Sequence, residues 1–219
     1  RFDFVIGSDV LYDRDAADAL AGFIALHAEA TAEVWIVDPD RGNRPAFNRH
    51  MALAGFSLRE IETRLQRAGL APQDLDAVFV THEHGDHVGC ALALAERHDL
   101  AIWMSRGTWR AIGPAAAPRR LDFARDGEPI AVGDIELKPF TVAHDAAEPL
   151  QLRCSDGNTN LGVLTDLGSI TSHMLEHVQG CDALVLECNH DAGMLANSRY
   201  PPSVRARIGG RFGHLENAL

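Results

Sequence analysis

Thr81-His82-Glu83-His84-Gly85-Asp86-His87 is the stretch on which the reading of this chain turns. It follows at once on Asp76-Ala77-Val78-Phe79-Val80, whose apolar run reads as a buried strand. In extended backbone, residues two apart share a side, so His82 and His84 can reach one metal ion together. Asp86 and His87 fall where the chain turns into the next helix, with Gly85 easing the bend, and can serve a second ion. Imidazole and carboxylate donors without thiolate suit zinc, and also manganese or iron. The bland alternative is a solvated loop that happens to be rich in histidine. Three His and one Asp within six residues, directly behind a buried strand, speak against it.

Further donors must come from elsewhere, and the candidates stand at strand ends. His144 follows Phe140-Thr141-Val142-Ala143, and Asp166 follows Leu161-Gly162-Val163-Leu164-Thr165. Around them the periodicity predicts a helix capped by Ser57 with Glu60, running through Leu58, Ile61, Leu65 and Ala68 to Gly69. A helix over Val88–His98, a strand over Ala101–Met104 and a loop over Gly113–Arg120 follow. Then come strands at 135–137, 140–142, 150–152 and 161–164, a helix over Ile170–Val178 and a strand over Ala183–Glu187. This order predicts α/β architecture with sheets covered by helices. His27, His50, His98, His173 and His177 read as surface residues. His190, in Asn189-His190-Asp191, reads either as an outer partner of the site or as a packed loop histidine.

The order HxHxDH, then His, then Asp resembles the metallo-β-lactamase superfamily, and more closely its YycJ/WalJ-type branch. The likeness lies in Thr81–His87, in Val142-Ala143-His144-Asp145-Ala146 with Glu148-Pro149, and in Leu164-Thr165-Asp166-Leu167-Gly168. It continues in Leu186-Glu187-Cys188-Asn189-His190-Asp191, Tyr200-Pro201, Arg207-Ile208-Gly209-Gly210 and Gly213-His214-Leu215. The resemblance implies an αββα sandwich over residues 56–219 and two divalent ions, zinc first. By it, His82, His84 and His144 hold one ion, Asp86 and His87 the other, and Asp166 bridges. It also implies a phosphodiesterase or nuclease-type hydrolase working through a metal-bridging hydroxide, with Asp86 and His214 as catalytic residues. His214 resembles the histidine that ribonuclease Z-like members place near the scissile phosphate. Two roles stay open for it, an acid that contacts substrate or a replacement metal ligand.

Two departures from the family are expected to matter. Phe2 to Tyr12, with the strand Val34–Asp38 and a helical spacing from Asp15 to Glu29 between them, resembles the middle of a class I S-adenosylmethionine-dependent methyltransferase. The Gly-rich cofactor turn of that fold is absent, so no methyl transfer is expected. The expectation is a chimera, with a βαβ fragment over residues 1–55 joined near Gly55 to a hydrolase domain over 56–219, incomplete at both ends. An unusual N-terminal domain is the alternative. At the other end the chain stops at Leu219, before the strand that in relatives supplies a last histidine. Exposed strand edges would follow, and with them a homodimer.

Bulk properties narrow the partners. The 219 residues carry 20 basic and 31 acidic side chains, a net charge of −11. That gives no support to sequence-independent nucleic-acid binding, although the resemblance brings nucleic acid in as a substrate. Small esters, lactones or β-lactams are the alternative substrates, and a metal-binding protein with little activity is the alternative class. Cys90, Cys154, Cys181 and Cys188 lack CxxC spacing and read as buried or half-buried thiols of a reducing compartment, with the cytoplasm as default. No run reaches the roughly 18–20 apolar residues of a membrane span, and the start does not look like a signal peptide.

Overall fold

The computed structural model describes residues 2–8, 28–37, 58–113 and 117–218. Strands β1 (Phe2–Ser8) and β2 (Ala28–Val37) pair in parallel, the relation a βαβ unit requires. The helix expected between them lies outside the described residues up to position 27. Its expected last residues, Ala28 and Glu29, instead open β2. Ser57 and the junction near Gly55 also lie outside the described residues, as do His27 and His50.

Helix α1 (Leu58–Arg67) ends just before Gly69, whose φ of +75° stops the helical path. Three parallel strands follow, β3 (Ala77–Phe79), β4 (Ala101–Met104) and β5 (Leu121–Phe123), in that spatial order. Between β3 and β4 the expected single helix is two pieces, α2 (Gly85–Val88) and α3 (Ala91–His98). Gly89 at φ +39° breaks it, so the histidine turn is not bound to the direction of α3. Helix α4 (Arg106–Ile112) begins where Ser105 Oγ accepts the Thr108 amide at 3.0 Å and ends at Gly113 in left-handed backbone.

A five-stranded mixed sheet has the order β10-β9-β8-β7-β6. Its members are β6 (Ile130–Val132), β7 (Ile135–Thr141), β8 (Leu150–Ser155), β9 (Asn160–Leu164) and β10 (Ala183–Leu186). β7 is one strand where two were expected, with Pro139 inside it. Proline survives there because β6 stops at the partner of Leu137, and the Pro139 carbonyl takes the Gly127 amide at 2.8 Å on that side. Helices α5 (Ser172–Val178), α6 (Ala192–Asn197) and α7 (Pro202–Ile208) complete the described chain.

Period-two alternation sends each sheet's side chains to two interfaces. Ile102 and Met104 of β4 join Val80, Leu94, Ala95 and Leu100, with Leu58, Ile61 and Trp109 packed on them, so α1, α3 and α4 cover the parallel sheet. Trp103, on the opposite face, meets Phe79, Ile130, Leu137 and Leu150 between the sheets. Phe140 and Leu164 point the other way, onto Leu167, Met174 and Leu215 beneath α5. Helix, sheet, sheet, helix is the αββα sandwich expected from the resemblance.

Two histidines read as surface residues are partly buried instead. His98 Nε2 lies 3.0 Å from Glu62 Oε1 and ties α3 to α1. His177 stacks on Phe140 at 5.0 Å, its apolar ring face extending the α5 core. The four cysteines are half-buried and free, and burial raises the pKa of each thiol. Among the described residues no helix is long and apolar enough to cross a membrane.

Phe140 has no exposed surface, whereas Leu184 on β10 is 47% exposed. Phe140→Ala is therefore expected to cost about 3–5 kcal/mol in denaturant unfolding, and Leu184→Ala about 0.5 kcal/mol or less. Equal losses would contradict this layer assignment.

Candidate metal centre

β7 and β9 are each antiparallel to β8, and β10 is parallel to β9, so these three strands end at one rim. The Thr81 carbonyl accepts the Leu150 amide at 2.9 Å, which brings the end of β3 to the same rim. His144 beyond β7, Asp166 beyond β9 and Glu187 beyond β10 thus meet the histidine turn. His214, after α7, arrives because the Asn189 amide bonds the Leu215 carbonyl at 3.0 Å and the Asn217 amide bonds the His190 carbonyl at 2.8 Å.

Three groups of donor atoms converge there: His82, His84 and His144; His82, His87 and Asp166; Asp166, Glu187 and His214. In the first, His84 Nδ1 lies 3.0 Å from His82 Nε2 and 3.2 Å from His144 Nε2. In the second, His87 Nε2 lies 2.7 Å from Asp166 Oδ2. In the third, His214 Nδ1 stands 2.9 and 3.1 Å from the two Glu187 oxygens and 3.3 Å from Asp166 Oδ1. Asp86 is not among them: its side chain is 65% exposed, with Oδ2 3.9 Å from His87 Nε2.

The outer faces of the donors are fixed as well. Thr81 Oγ1 lies 3.1 Å from His82 Nδ1 and 3.4 Å from His87 Nδ1. His144 Nδ1 donates to the Gly213 carbonyl at 3.0 Å. Buried Gln151 brackets the peptide leading to Asp166: its Oε1 accepts the Thr165 amide at 3.0 Å and its Nε2 donates to the Asp166 carbonyl at 3.2 Å. With His82 and His144 protonated on Nδ1, their Nε2 lone pairs point into the first group, a donor set suited to a borderline-soft cation such as zinc.

Charge separates the two halves. Burial, reinforced by the neighbouring His87, lowers the His82 pKa to about 2, and burial also lowers that of His144. Both rings are neutral, as ligands must be. Burial works against charge on His87 too, but the hydrogen bond to Asp166 and the charges of Asp166, Asp86 and Glu187 together outweigh it and raise its pKa. Burial would raise Asp166, yet His87 pulls it down. Glu187 is raised by burial and by Asp166 despite its bond to His214. His214, though buried, is raised by Glu187. The carboxylate half attracts positive charge, which protons or a divalent cation can supply. The donor sets therefore fit two metal ions.

Glu187 escaped the reading by chemistry because a lone Glu is ordinarily solvated. Its position directly after a strand, like that of His144 and Asp166, was the available signal. His190 pairs its backbone with Glu216 and leaves Nδ1 buried without a hydrogen-bond partner.

A double-sheet sandwich with imidazoles and carboxylates gathered at one rim defines the metallo-β-lactamase fold class. Residues 47–215 match the family model described as "Beta-lactamase superfamily domain", and the chain belongs to that family. It is 36% identical over 168 residues to the exodeoxyribonuclease YycJ of Bacillus anthracis, covering 75% of this chain and 63% of that protein. It is 31% identical over 169 residues to the exodeoxyribonuclease WalJ of Streptococcus pneumoniae, again 75% of this chain and 63% of the relative. The chain thus spans less than two thirds of the length of either. Among solved structures, the metallo-beta-lactamase fold protein YhfI from Bacillus subtilis superposes with a TM-score of 0.52 at 17% identity, covering 70% of this chain and 61% of that one.

Zinc that binds only the folded state stabilises it, by about 2.7 kcal/mol at one hundred times its dissociation constant. Adding zinc to chelator-stripped protein is expected to raise the unfolding midpoint, and His84→Ala is expected to remove most of that rise. An equal rise in both proteins would show that the histidine trio is not the zinc site.

Proposed function

We propose that this chain is a metal-dependent hydrolase of phosphodiester bonds, nuclease-like in chemistry. The observation that carries the proposal is the meeting of His82 Nε2, His84 Nδ1 and His144 Nε2 beside a second, carboxylate-rich group that ends in a Glu–His pair. The printed activity of the YycJ and WalJ relatives supports the substrate class. His82, His84 and His144 would hold one ion, and His87, Asp166 and the neighbouring Asp86 the other, with Asp166 as the carboxylate that could be shared between them. Zinc suits the first set, and manganese or iron can also serve. Divalent ions held there supply Lewis acidity: they make water nucleophilic near neutral pH and offset charge building on the phosphate oxygens.

The chain's own residues do the rest. Asp166 faces both His87 and His214, so its carboxylate joins the second donor group to the third. His214 hydrogen-bonds through Nδ1 to Glu187, which steadies the charged ring and leaves Nε2 to carry the transferable proton. We assign His214 as the general acid for the leaving oxygen, and Glu187 as the group that keeps it oriented and charged. The net charge of −11 favours a second reading, turnover of small phosphoesters or ring esters rather than long polyanions.

The test is hydrolysis of bis(p-nitrophenyl) phosphate and of an end-labelled DNA strand, with and without chelator. Chelator-sensitive turnover of both is expected, with His214→Ala lowering kcat about 10²–10⁴-fold. Turnover confined to the small diester would select the second reading. Metal-loaded protein inert on both would sink the hydrolase assignment.

A further inference from the structure

We propose that the last turn of α7 positions the histidine trio from outside, with Arg207 holding Asp145 against the outward nitrogen of His84 and the Gly213 carbonyl fixing His144. The inference rests on reading His82, His84 and His144 as a metal site.

His84 is turned differently from its two neighbours. It presents Nδ1 to the other rings, so Nε2 faces outward. Asp145 Oδ1 stands 3.7 Å from that nitrogen and 3.6 Å from His144 Nε2. The first distance is slightly too long for a hydrogen bond and short enough for the carboxylate to orient the N–H of that ring. A ligand histidine is oriented, and its tautomer fixed, by the acceptor its other nitrogen meets. Thr81 and Gly213 fill that role for His82 and His144, and Asp145 is the carboxylate standing there for His84.

Asp145 is itself held. Its other oxygen, Oδ2, takes the Arg207 Nε of α7 in a short charged hydrogen bond. The same helix end supports Gly213: the His214 amide bonds the Ile208 carbonyl at 2.8 Å. A Cβ on Gly213 would lie 2.1 Å from the Arg207 and Ile208 carbonyl oxygens, so only glycine lets the loop seat there. One helical turn thus reaches two of the three rings, through a side chain and through a backbone seat. Asp145 and Arg207 are positioning residues, acting through His84.

Zinc affinity of the full chain, measured by competition with a chromophoric chelator, is the test. Asp145→Asn is expected to weaken zinc binding about 10–100-fold. Arg207→Gln should weaken it less, with Arg207→Lys recovering part of that loss. The double variant Asp145→Asn/Arg207→Gln should match Asp145→Asn alone, because Arg207 acts through Asp145. Unchanged affinity in Asp145→Asn overturns the proposal, and so do additive losses in the double variant. A loss beyond about 1,000-fold, well outside the range for an outer partner, would make Asp145 a direct ligand and also overturn it. Wild-type protein that takes up no zinc, manganese or iron would instead refute the metal-centre reading itself. Unfolding midpoints of the metal-free variants within about 2 °C of wild type keep the comparison to the site; larger drops count against an outer role confined to it.

Discussion

Three imidazole nitrogens are held face to face at the rim of the sandwich, and much of the local structure follows from that constraint. A proton on His84 Nδ1 can be donated to the His82 or the His144 nitrogen but serves both poorly, whereas a cation among the three would meet all of them. Protonation cannot relieve the crowding at His82, because burial beside other histidines drives its pKa to about 2. Rotating the rings away would abandon the bonds of His82 to Thr81 and of His144 to Gly213. The fold therefore holds an arrangement that a divalent ion would satisfy more fully than a single shared proton. Such a site is preorganised in the sense that matters for catalysis: little has to move once the ion is present.

What supplies the rigidity is the joining of loops that are distant in sequence. The Gly168 amide bonds the Ala143 carbonyl at 2.7 Å, which locks the loops carrying Asp166 and His144 together. A Cβ on Gly168 would lie 2.4 Å from the Gly213 nitrogen and 2.5 Å from the Arg211 carbonyl oxygen. Two strand-end loops and the loop after α7 thus stack with almost no side chain between them, backbone against backbone. Beneath them Phe140, Leu164, Leu167 and Leu215 are fully or nearly fully buried, and each lies within a few residues of a site residue. Packing energy of the α5 layer and geometry of the site are in this way the same contacts seen from two sides.

Much of this was legible in the sequence, for a definite reason. Donors on one extended segment are related by the two-residue repeat of the backbone, so His82 and His84 could be paired without tertiary information. His144 and Asp166 were legible because each follows an apolar strand. The αββα layering came only through the resemblance, since spacing alone does not say which sheet packs on which. Short strands such as β5 and β6 were not expected because three residues are too few to show a period. Helices α4 and α7 left cap signals at Ser105, Gly113 and Pro202 that the hydrophobic pattern did not reinforce. Asp145 and Arg207 appeared only as letters of motifs. Their partnership spans 62 positions and exists only in three dimensions.

The chain's net charge and its local chemistry pull in opposite directions, and distance decides between them. A charge of −11 repels a polyanion at long range, but at physiological ionic strength that field decays over about 8 Å. Inside that distance the balance is set by the site. On the proposed reading, His82, His84 and His144 would bring no negative charge to one ion, while Asp166 and Asp86 would offset the other only in part. His214, charged beside Glu187, adds to the positive side. A phosphodiester, the substrate proposed above, would then meet attraction at the site and repulsion while still in solution. Net charge weighs on the rate of encounter, and the buried cluster on what is retained and how it is turned. A substrate with few phosphates is penalised least by the first and gains as much from the second. On that reading the composition would bear on the length of the polyanion handled, and the geometry at the rim on the bond attacked.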